Sequence, residues 1–287
     1  MFIYKSCWLF TLHYNMSFTH TMQSKHGVKM ATNPFDQQIS IPGVKKIIVV
    51  GSGKGGVGKS TVSTNLALSL RKYGSVGILD ADIYGPSLPR MMGAVNQKPQ
   101  LIDGNKIQPL NRYGIKIMSM GFLIEENAAV VWRGPMLFKA MDQFFKDVLW
   151  GDLDFLIIDL PPGTGDVQLS VAQKVKVDCA IIVTTPQNIS LIDAKKAVDM
   201  FERTSIKIAG FVENMSYMLN PVNGEKIQLF PKGELDSYLK SKDILKLGEI
   251  PFNTSVSLGS EAGIPIVESY PDSVESKVFD EIAKRLN

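Results

Sequence analysis

Short apolar runs alternate with helical patterns along most of the chain after residue 30. The runs are rich in β-branched residues: KKIIVV, SVGILD, DFLIID, DCAIIVTT, IKIAGFVEN and LKLGEI. Between several of them, apolar residues recur at steps of three and four, at Leu66–Leu70, Met136–Leu149, Val167–Val175, Ile192–Met200 and Val274–Leu286. Near-continuous apolar strands alternating with helices are typical of a parallel sheet covered on both faces. The pattern predicts an α/β fold, a mostly parallel β-sheet flanked by helices on both faces.

Two stretches depart from this alternation. Pro99–Met120 contains short β-like pieces, KIQPL and IKIMSM, with turn residues between them. We interpret it as an insertion or hairpin at the sheet edge. Met218–Lys232 is rich in Asn, Pro and Gly, which predicts a loop that projects from the core. Residues 41–287 as a whole are predicted to form one α/β domain.

The first 29 residues have a different character. They contain no Asp, Glu or Arg and show no sustained period. They hold three lysines, all three histidines and one of the two cysteines: Lys5, Lys25, Lys29, His13, His20, His26 and Cys7. We interpret residues 1–40 as an irregular leader, disordered or non-native, with translation starting near Met30. The alternative is a mitochondrial presequence, which is also poor in acidic residues but normally rich in Arg.

Charge and cysteine content limit the kinds of partner and compartment predicted for the chain after the leader. The formal net charge of +3 falls to 3 − 3 = 0 without the three leader lysines, so no nucleic-acid partner is predicted. No apolar run approaches the roughly 20 residues that span a bilayer, so no membrane partner is predicted. Cys179 is the one cysteine after the leader, and its apolar surroundings predict a buried core position. A body without a disulfide pair fits the cytoplasm, or mitochondria if the leader is a presequence.

The segment Gly51–Thr61, GSGKGGVGKST, carries the clearest chemistry. It lies between a predicted strand and a predicted helix and fits the phosphate-binding pattern G-x-x-x-x-G-K-[ST]. Glycines let backbone N–H groups surround a polyphosphate, and the helix N-terminus adds partial positive charge. Lys59 is predicted to reach the β- and γ-phosphates of ATP, and Ser60 to ligate Mg²⁺. The predicted ATP-binding residues here are Gly53, Lys54, Gly55, Gly56, Val57, Gly58, Lys59, Ser60 and Thr61.

Acidic residues end two other predicted strands. Asp159, in DFLIIDLPPGTGD, matches the Walker B position beside Mg²⁺, and the PPGTGD turn that follows suits a γ-phosphate sensor. Asp80 and Asp82, in GILDADIYGPS, lie two residues apart and point to the same side if the segment is extended. Such a carboxylate can hold metal-bound water or orient the attacking water. Each of these acids has the alternative role of capping the next element.

The loop has a second lysine, Lys54. With two lysines, the loop resembles that of the deviant Walker A ATPases, a family that includes MinD, ParA and nitrogenase iron protein. Their pattern K-G-G-x-x-K-[ST] is present as Lys54-Gly55-Gly56-Val57-Gly58-Lys59-Ser60. In that family the first lysine reaches the phosphates of the nucleotide on the other subunit. The resemblance implies that Lys54 acts in trans and that ATP controls dimerisation.

The resemblance narrows to the Mrp/ApbC branch. ILDADIYGPSLPRMMG, FLIIDLPPGTGD, IIVTTPQNISLIDAKKAVDMF, GFVENMSYM, LGEIPF and EAGIPIV occur in this order between residues 41 and 287. The branch implies a homodimeric ATPase that carries an iron–sulfur cluster to apoproteins. By the same resemblance, Asp82 orients water, Asn214 contacts adenine, and Pro251 and Phe252 line the base pocket. The alternative for Asn214 is a turn residue after a strand.

The chain departs from this branch where the cluster ligands belong. The branch carries C-P-x-C after N-M-S-Y, one copy per subunit, and the two copies hold the cluster. Here Pro221 is present, but Asn220 and Asn223 replace the two cysteines. Asparagine is not a usual ligand, since thiolates hold these clusters. Two functions stay open: the carrier role, and a nucleotide-switched interaction protein of the MinD/ParA kind without cluster binding.

Overall fold

The apolar runs form the strands of one central sheet. The computed structural model describes residues 38–102, 104–123, 134–231 and 233–287. The strands of that part are β1 (Val44–Ser52), β2 (Val76–Asp80), β3 (Gln100–Ile102), β4 (Lys106–Gln108), β5 (Leu110–Arg112), β6 (Ile115–Ser119), β7 (Leu153–Asp159), β8 (Cys179–Thr184), β9 (Ile208–Asn214), β10 (Met218–Leu219), β11 (Lys226–Ile227) and β12 (Lys246–Ile250). Eight of them form a sheet in the order β12-β9-β8-β1-β7-β2-β6-β5. Its pairs are parallel except β5 with β6.

Helices connect these strands. Their bounds are α1 (Lys59–Leu70), α2 (Leu88–Met91), α3 (Gly134–Lys146), α4 (Asp166–Lys174), α5 (Asn188–Arg203), α6 (Leu235–Lys242), α7 (Thr254–Ala262), α8 (Ile266–Ser269) and α9 (Val274–Leu286), with a 3₁₀ turn at Met120–Phe122. Each helical pattern of the sequence lies wholly or largely within one of these helices. The helices α2, α6, α7 and α8 were not predicted, because runs of four to nine residues give too few turns for a clear period.

Both faces of the central strands are covered. All five residues of β2 and all six of β8 are buried, so successive side chains on opposite faces are shielded from water. The predicted fold class, a mostly parallel sheet with helices on both faces, is confirmed. Cys179 opens β8 with 6% of its surface exposed, which confirms its predicted core position.

The two irregular stretches form hairpins. In Pro99–Met120, β5 and β6 make an antiparallel hairpin at the sheet edge, as predicted, and β3 and β4 make a second, separate one. β6 also pairs in parallel with β2, so it belongs to the main sheet and is not an insertion. In Met218–Lys232, β10 and β11 form a two-stranded hairpin whose turn residue Val222 is 92% exposed.

The first described residues are attached to the body. Gln38 Nε2 donates to the carbonyl of Ala172 at 2.8 Å, and Ile39 pairs in parallel with Val175. Residues 1–37, most of the predicted leader, lie outside the described residues, and the division at residue 40 stays a prediction. In the part of the chain that the structure covers, no helix combines the length and apolar character needed to cross a membrane.

Candidate functional site

The carboxyl ends of three neighbouring strands meet at one edge of the sheet. In the register, Val50 of β1 and Asp80 of β2 both lie opposite Asp159 of β7. The loop Gly51–Thr61 leaves β1 at this edge and enters α1 at Lys59. A cleft of about 250 Å³ opens there, lined by this loop and by Asp82, Gly85, Ser87, Met91 and Pro162. Ligands of open α/β sheets bind outside the carboxyl ends of the strands, so the cleft is the candidate ligand site.

Two glycines of the loop are required by close packing. A Cβ on Gly53 would lie 2.0 Å from the carbonyl carbon of Asp193 in α5. Gly58 has φ +80°, and a Cβ there would lie 2.2 Å from Nδ2 of Asn214. At Gly53 the obstacle is backbone, so any side chain would require a backbone shift. At Gly58 the obstacle is the amide of Asn214, and the positive φ is the further reason that favours glycine. The loop is therefore held between α5 and the end of β9, in a curve that faces the cleft.

Lys59, Ser60 and Asp159 lie together, as the sequence predicted for a phosphate and Mg²⁺ site. Lys59 Nζ lies 2.8 Å from Asp159 Oδ1 and donates to Ser60 Oγ at 3.2 Å. The side chains of Lys59 and Asp159 are only 6% and 2% exposed, so each balances the other's buried charge. Ser63 Oγ donates to the same Asp159 oxygen at 2.6 Å. Sequence reasoning missed Ser63, although its place four residues after Lys59 on one helix face was a usable signal.

Lys54 is held by its backbone and not by its side chain. Ser52 Oγ donates to the Lys54 carbonyl at 2.9 Å, and Lys54 lines the cleft half-buried. Its ammonium group forms no ion pair within the described residues, in contrast to that of Lys59. The structure thus brings both loop lysines to the cleft and leaves one positive charge there without a carboxylate partner.

Asp80 and Asp82 have different roles because β2 ends at Asp80. Asp80 is fully buried, and its carboxylate accepts from Asp82 N at 3.0 Å, Leu88 N at 3.1 Å and Ser119 Oγ at 3.0 Å. This matches the capping alternative, since Leu88 is the first residue of α2. Asp82 Oδ1 accepts from Tyr84 N and Gly85 N at 3.2 Å each, and Asp82 lines the cleft. Asp80 therefore fixes the loop that places Asp82.

Burial makes Asp80 a source of pH-dependent stability. Burial, and after it the nearby negative charge of Asp159, raise the pKa of Asp80 to about 7, although Lys59 opposes the rise. Since the folded pKa exceeds the unfolded value of 3.8, the native state binds more protons between these values, and stability falls as pH rises from about 4 to about 7. The raised pKa of Asp82, caused mainly by burial, acts in the same direction. Between about pH 4 and about pH 7 the free energy of unfolding of Asp80→Asn is therefore expected to fall by at least about 1 kcal/mol less than that of wild type. This difference is equivalent to about one pKa unit.

Urea unfolding of wild type and Asp80→Asn at several pH values between 4 and 7 measures this difference. The exposed carboxyl Asp154, whose pKa is lowered to about 2 mainly by Lys45, is the matched control. Asp154→Asn should change stability only below about pH 4. Between about pH 4 and about pH 7 it should leave the slope of stability against pH as in wild type. Parallel stability profiles of wild type and Asp80→Asn would contradict the assignment.

The comparisons with known proteins identify the family. The family model described as the NUBPL iron-transfer P-loop NTPase matches residues 43–287. This chain belongs to that family. The NUBPL family assignment confirms the resemblance found in the sequence.

Relatives of this P-loop NTPase have closely similar names. The iron-sulfur cluster carrier protein of Aquifex aeolicus is 47% identical over 256 residues, covering 88% of this chain and 70% of that protein. The mouse iron-sulfur cluster transfer protein NUBPL is 45% identical over 253 residues, covering 87% of this chain and 79% of that protein.

Solved structures agree with the fold of this P-loop NTPase. The nucleotide-binding protein of Archaeoglobus fulgidus, in complex with ADP, is 38% identical with a TM-score of 0.70, covering 82% of this chain and 91% of that one. The cell division ATPase MinD of Pyrococcus furiosus has a TM-score of 0.61 at 22% identity, over 84% of this chain and 98% of that one, which supports the shared fold alone.

The predicted adenine contacts of the P-loop NTPase lie away from the phosphate cleft. Asn214 Nδ2 donates to the carbonyl of Val57 at 2.9 Å, so this side chain braces the loop from behind. Phe252 is 39% exposed and its N–H donates to the Tyr217 carbonyl at 2.6 Å, while Pro251 is buried. Among the described residues, none of the three lines the phosphate cleft. Their contact with a base stays a prediction.

Asn220 and Asn223 of this P-loop NTPase close the turn between β10 and β11. Asn220 Oδ1 accepts from Val222 N at 2.9 Å, and Asn223 Oδ1 accepts from Glu225 N at 3.1 Å. Each side chain thus completes a short turn that Asx residues commonly form. No group of three or more His, Cys, Asp or Glu side chains able to hold a metal ion occurs in the described ranges.

Proposed function

We propose that this protein is an ATP-hydrolysing homodimer that carries iron–sulfur clusters to apoproteins. One observation carries the ATPase part: Lys59, which pairs with the buried Asp159, and Ser60 line a cleft that Lys54 and Asp82 also line. The carrier part rests on the printed names of relatives such as the Aquifex aeolicus iron-sulfur cluster carrier protein. Family membership supports nucleotide binding, and the loop pattern supports ATP as the nucleotide.

The residues of the cleft suit ATP and Mg²⁺. The backbone N–H groups of the glycine loop would hold the α- and β-phosphates, and Lys59 the β- and γ-phosphates. Ser60 and Asp159 offer hard oxygen ligands, which Mg²⁺ prefers together with phosphate oxygens and water. Bound there, Mg²⁺ would neutralise phosphate charge. The release of Lys59 from Asp159 would then free the ammonium group for the phosphates.

Hydrolysis needs an oriented water molecule, and Asp82 is the residue placed to hold it. Its carboxylate is fixed by the N–H groups of Tyr84 and Gly85 at the cleft. A water molecule hydrogen-bonded there would attack the γ-phosphorus, its oxygen forming a new P–O bond as the bond to the β-phosphate oxygen breaks. The products are ADP and inorganic phosphate. Loss of the γ-phosphate would release the DADIYGPS and PPGTGD segments and open the dimer.

Lys54→Ala is expected to leave ATP affinity within about twofold and to abolish ATP-driven dimerisation and hydrolysis. The reason is that Lys54 serves the phosphates across the interface, where two nucleotides bring negative charge together. Sedimentation with and without ATP, together with phosphate release, measures the effect. Lys45→Ala is the matched control, because this exposed lysine pairs with Asp154 away from the cleft. Wild-type hydrolysis by Lys54→Ala would refute the trans role.

The cluster is the cargo of the proposed carrier, and the described residues do not suit it. Cys179 is buried in β8, and burial raises the pKa of its thiol, which disfavours the thiolate that iron requires. Asn220 and Asn223 are engaged in the turn. Ligands would therefore have to come from outside the described residues, from Cys7 or from a partner protein. This observation favours the second candidate function, a nucleotide-switched interaction protein that has lost cluster binding.

Anaerobic reconstitution with iron and sulfide separates the two functions. The measurement counts iron and sulfide per dimer and records visible absorption for the full chain and for Cys179→Ser. A stoichiometric cluster that the Cys179→Ser change removes would support a carrier with a new site. A protein that dimerises with ATP and binds no cluster, alone or with an apoprotein present, would support the interaction protein.

Compartment and partners follow from these proposals. The partners are a second copy of the chain and apoprotein clients, with no nucleic acid or membrane. The cytoplasm is the proposed location, with mitochondria as the alternative if the first 29 residues are a presequence. An Arabidopsis thaliana relative, 45% identical over 251 residues, is named as a mitochondrial protein required for NADH dehydrogenase.

A further inference from the structure

Ser87 has a hydroxyl that the fold does not use. Its Oγ is buried and has no hydrogen-bond partner among the described residues. A buried hydroxyl without a partner costs free energy, so such groups are rare and call for an explanation. Ser87 lies in the DADIYGPS segment and lines the nucleotide cleft together with Lys59, Ser60 and Asp82.

The local structure explains why the hydroxyl has no hydrogen-bond partner. Ser87 is the N-cap of α2, a position where serine normally accepts from the backbone N–H two or three residues later. Pro89 occupies the first of these positions and has no N–H, and Ser87 makes no side-chain cap bond. The N–H of Leu88 donates to Asp80. The usual acceptor role of a capping serine is therefore not filled here, and the hydroxyl is left without a partner in a residue that lines the cleft.

The position of Ser87 in the cleft indicates which ligand group its hydroxyl can contact. The glycine loop and Lys59 form one wall of the cleft, which suits the α- and β-phosphates. Ser87 and Asp82 belong to the segment after β2, and both line the same cleft as the glycine loop. The Asp82 carboxylate can only accept hydrogen bonds, so it repels an anionic oxygen, whereas a hydroxyl can donate. Of the two neutral hydroxyl groups in this segment, those of Tyr84 and Ser87, that of Ser87 belongs to a residue that lines the cleft.

We propose that Ser87 Oγ donates a hydrogen bond to a γ-phosphate oxygen of ATP and so distinguishes ATP from ADP. This inference rests on the proposed function and adds a specificity-determining residue to the same site. Hydrogen bonds to ionised phosphate are about twice as strong as neutral ones. The bond would also link the presence of the γ-phosphate directly to the DADIYGPS segment, through the N-cap residue of α2.

The test compares Ser87→Ala with wild type in the full chain. Calorimetric titration with a non-hydrolysable imido analogue of ATP, and with ADP, both with Mg²⁺, gives the two affinities. The expected result is an affinity for the analogue about tenfold lower, with ADP affinity within about twofold of wild type. Ser69→Ala is the matched control: Ser69 Oγ is also buried without a partner, but it lies at the far end of α1, about 15 Å along the helix from Lys59.

Each other outcome overturns the proposal. Unchanged analogue affinity in Ser87→Ala would show that the hydroxyl makes no contact with the γ-phosphate. Equal losses for the analogue and ADP would show a structural role for Ser87. An analogue loss as large in Ser69→Ala would show that removal of any buried hydroxyl has this effect. If wild type hydrolyses ATP in any of these cases, the proposed function stands without the Ser87 contact; a wild type that binds neither nucleotide would refute both.

Discussion

Lys59→Ala is expected to weaken ATP binding at least about 100-fold and to abolish hydrolysis, because it removes the buried charge that, in the proposed function, would pair with the phosphates. The same change should also lower the free energy of unfolding by about 3–5 kcal/mol, since Asp159 would keep a buried negative charge without its partner 2.8 Å away. Calorimetric titration with ATP and urea unfolding measure the two effects on the same preparation.

A second variant separates the loss of ATP binding from the loss of stability. In Lys59→Ala/Asp159→Asn the buried carboxylate is neutral, so we expect much of the stability to return while ATP affinity stays low. Asp159→Asn alone tests the carboxylate without loss of the lysine. If the double variant regains ATP affinity together with stability, Lys59 contributes to the fold and not to phosphate binding.

Asn220→Cys/Asn223→Cys is expected to create cluster binding at a turn whose wild-type side chains offer no thiolate. The expected gain is about one cluster per dimer, because thiolates then stand at the two positions where the related branch has them. The turn should survive, since the amide groups that lose their Asn acceptors, Val222 N and Glu225 N, lie in exposed residues. Anaerobic reconstitution with iron counting and visible absorption measures the gain.

Asn220→Ser/Asn223→Ser is the control for this experiment, because serine keeps a short polar side chain in the turn without a thiol. No cluster in the cysteine variant, in a protein that still forms dimers with ATP, would mean that more than the two ligands differs from the related branch. A cluster of equal stoichiometry in wild type would show that the chain holds its cargo elsewhere.

The sequence predicted the parts of the site that depend on local order. Lys59 and Ser60 follow from a loop between one strand and one helix, and Asp159 follows from the rule that parallel strands end at one edge. These relations need no knowledge of distant contacts. The same holds for the fold class, because β-branched runs and helical periods are local patterns.

The remaining features depend on contacts between distant segments. The division of roles between Asp80 and Asp82 depends on where β2 ends and on Ser119, which β6 brings alongside. The bond from Asn214 to Val57 joins positions 157 residues apart. The free hydroxyl of Ser87 depends on a helix of four residues, too short to show a period in the sequence.

The packing of the glycine loop bears on how far its sequence pattern can be trusted as a sign of activity. A Cβ on Gly53 would meet the backbone of Asp193, and one on Gly58 would meet the Asn214 amide at a φ of +80°; neither obstacle depends on a bound nucleotide. A Cβ on Gly55, by contrast, would meet nothing closer than 3.9 Å. A descendant of this chain that lost its catalysis would therefore be expected to retain Gly53 and Gly58 and to drift first at Gly55, Lys54 and Ser60. In such inactive relatives, loss of Gly55, Lys54 or Ser60 would indicate that the chemistry is lost, whereas retention of Gly53 and Gly58 would indicate only that the fold is kept.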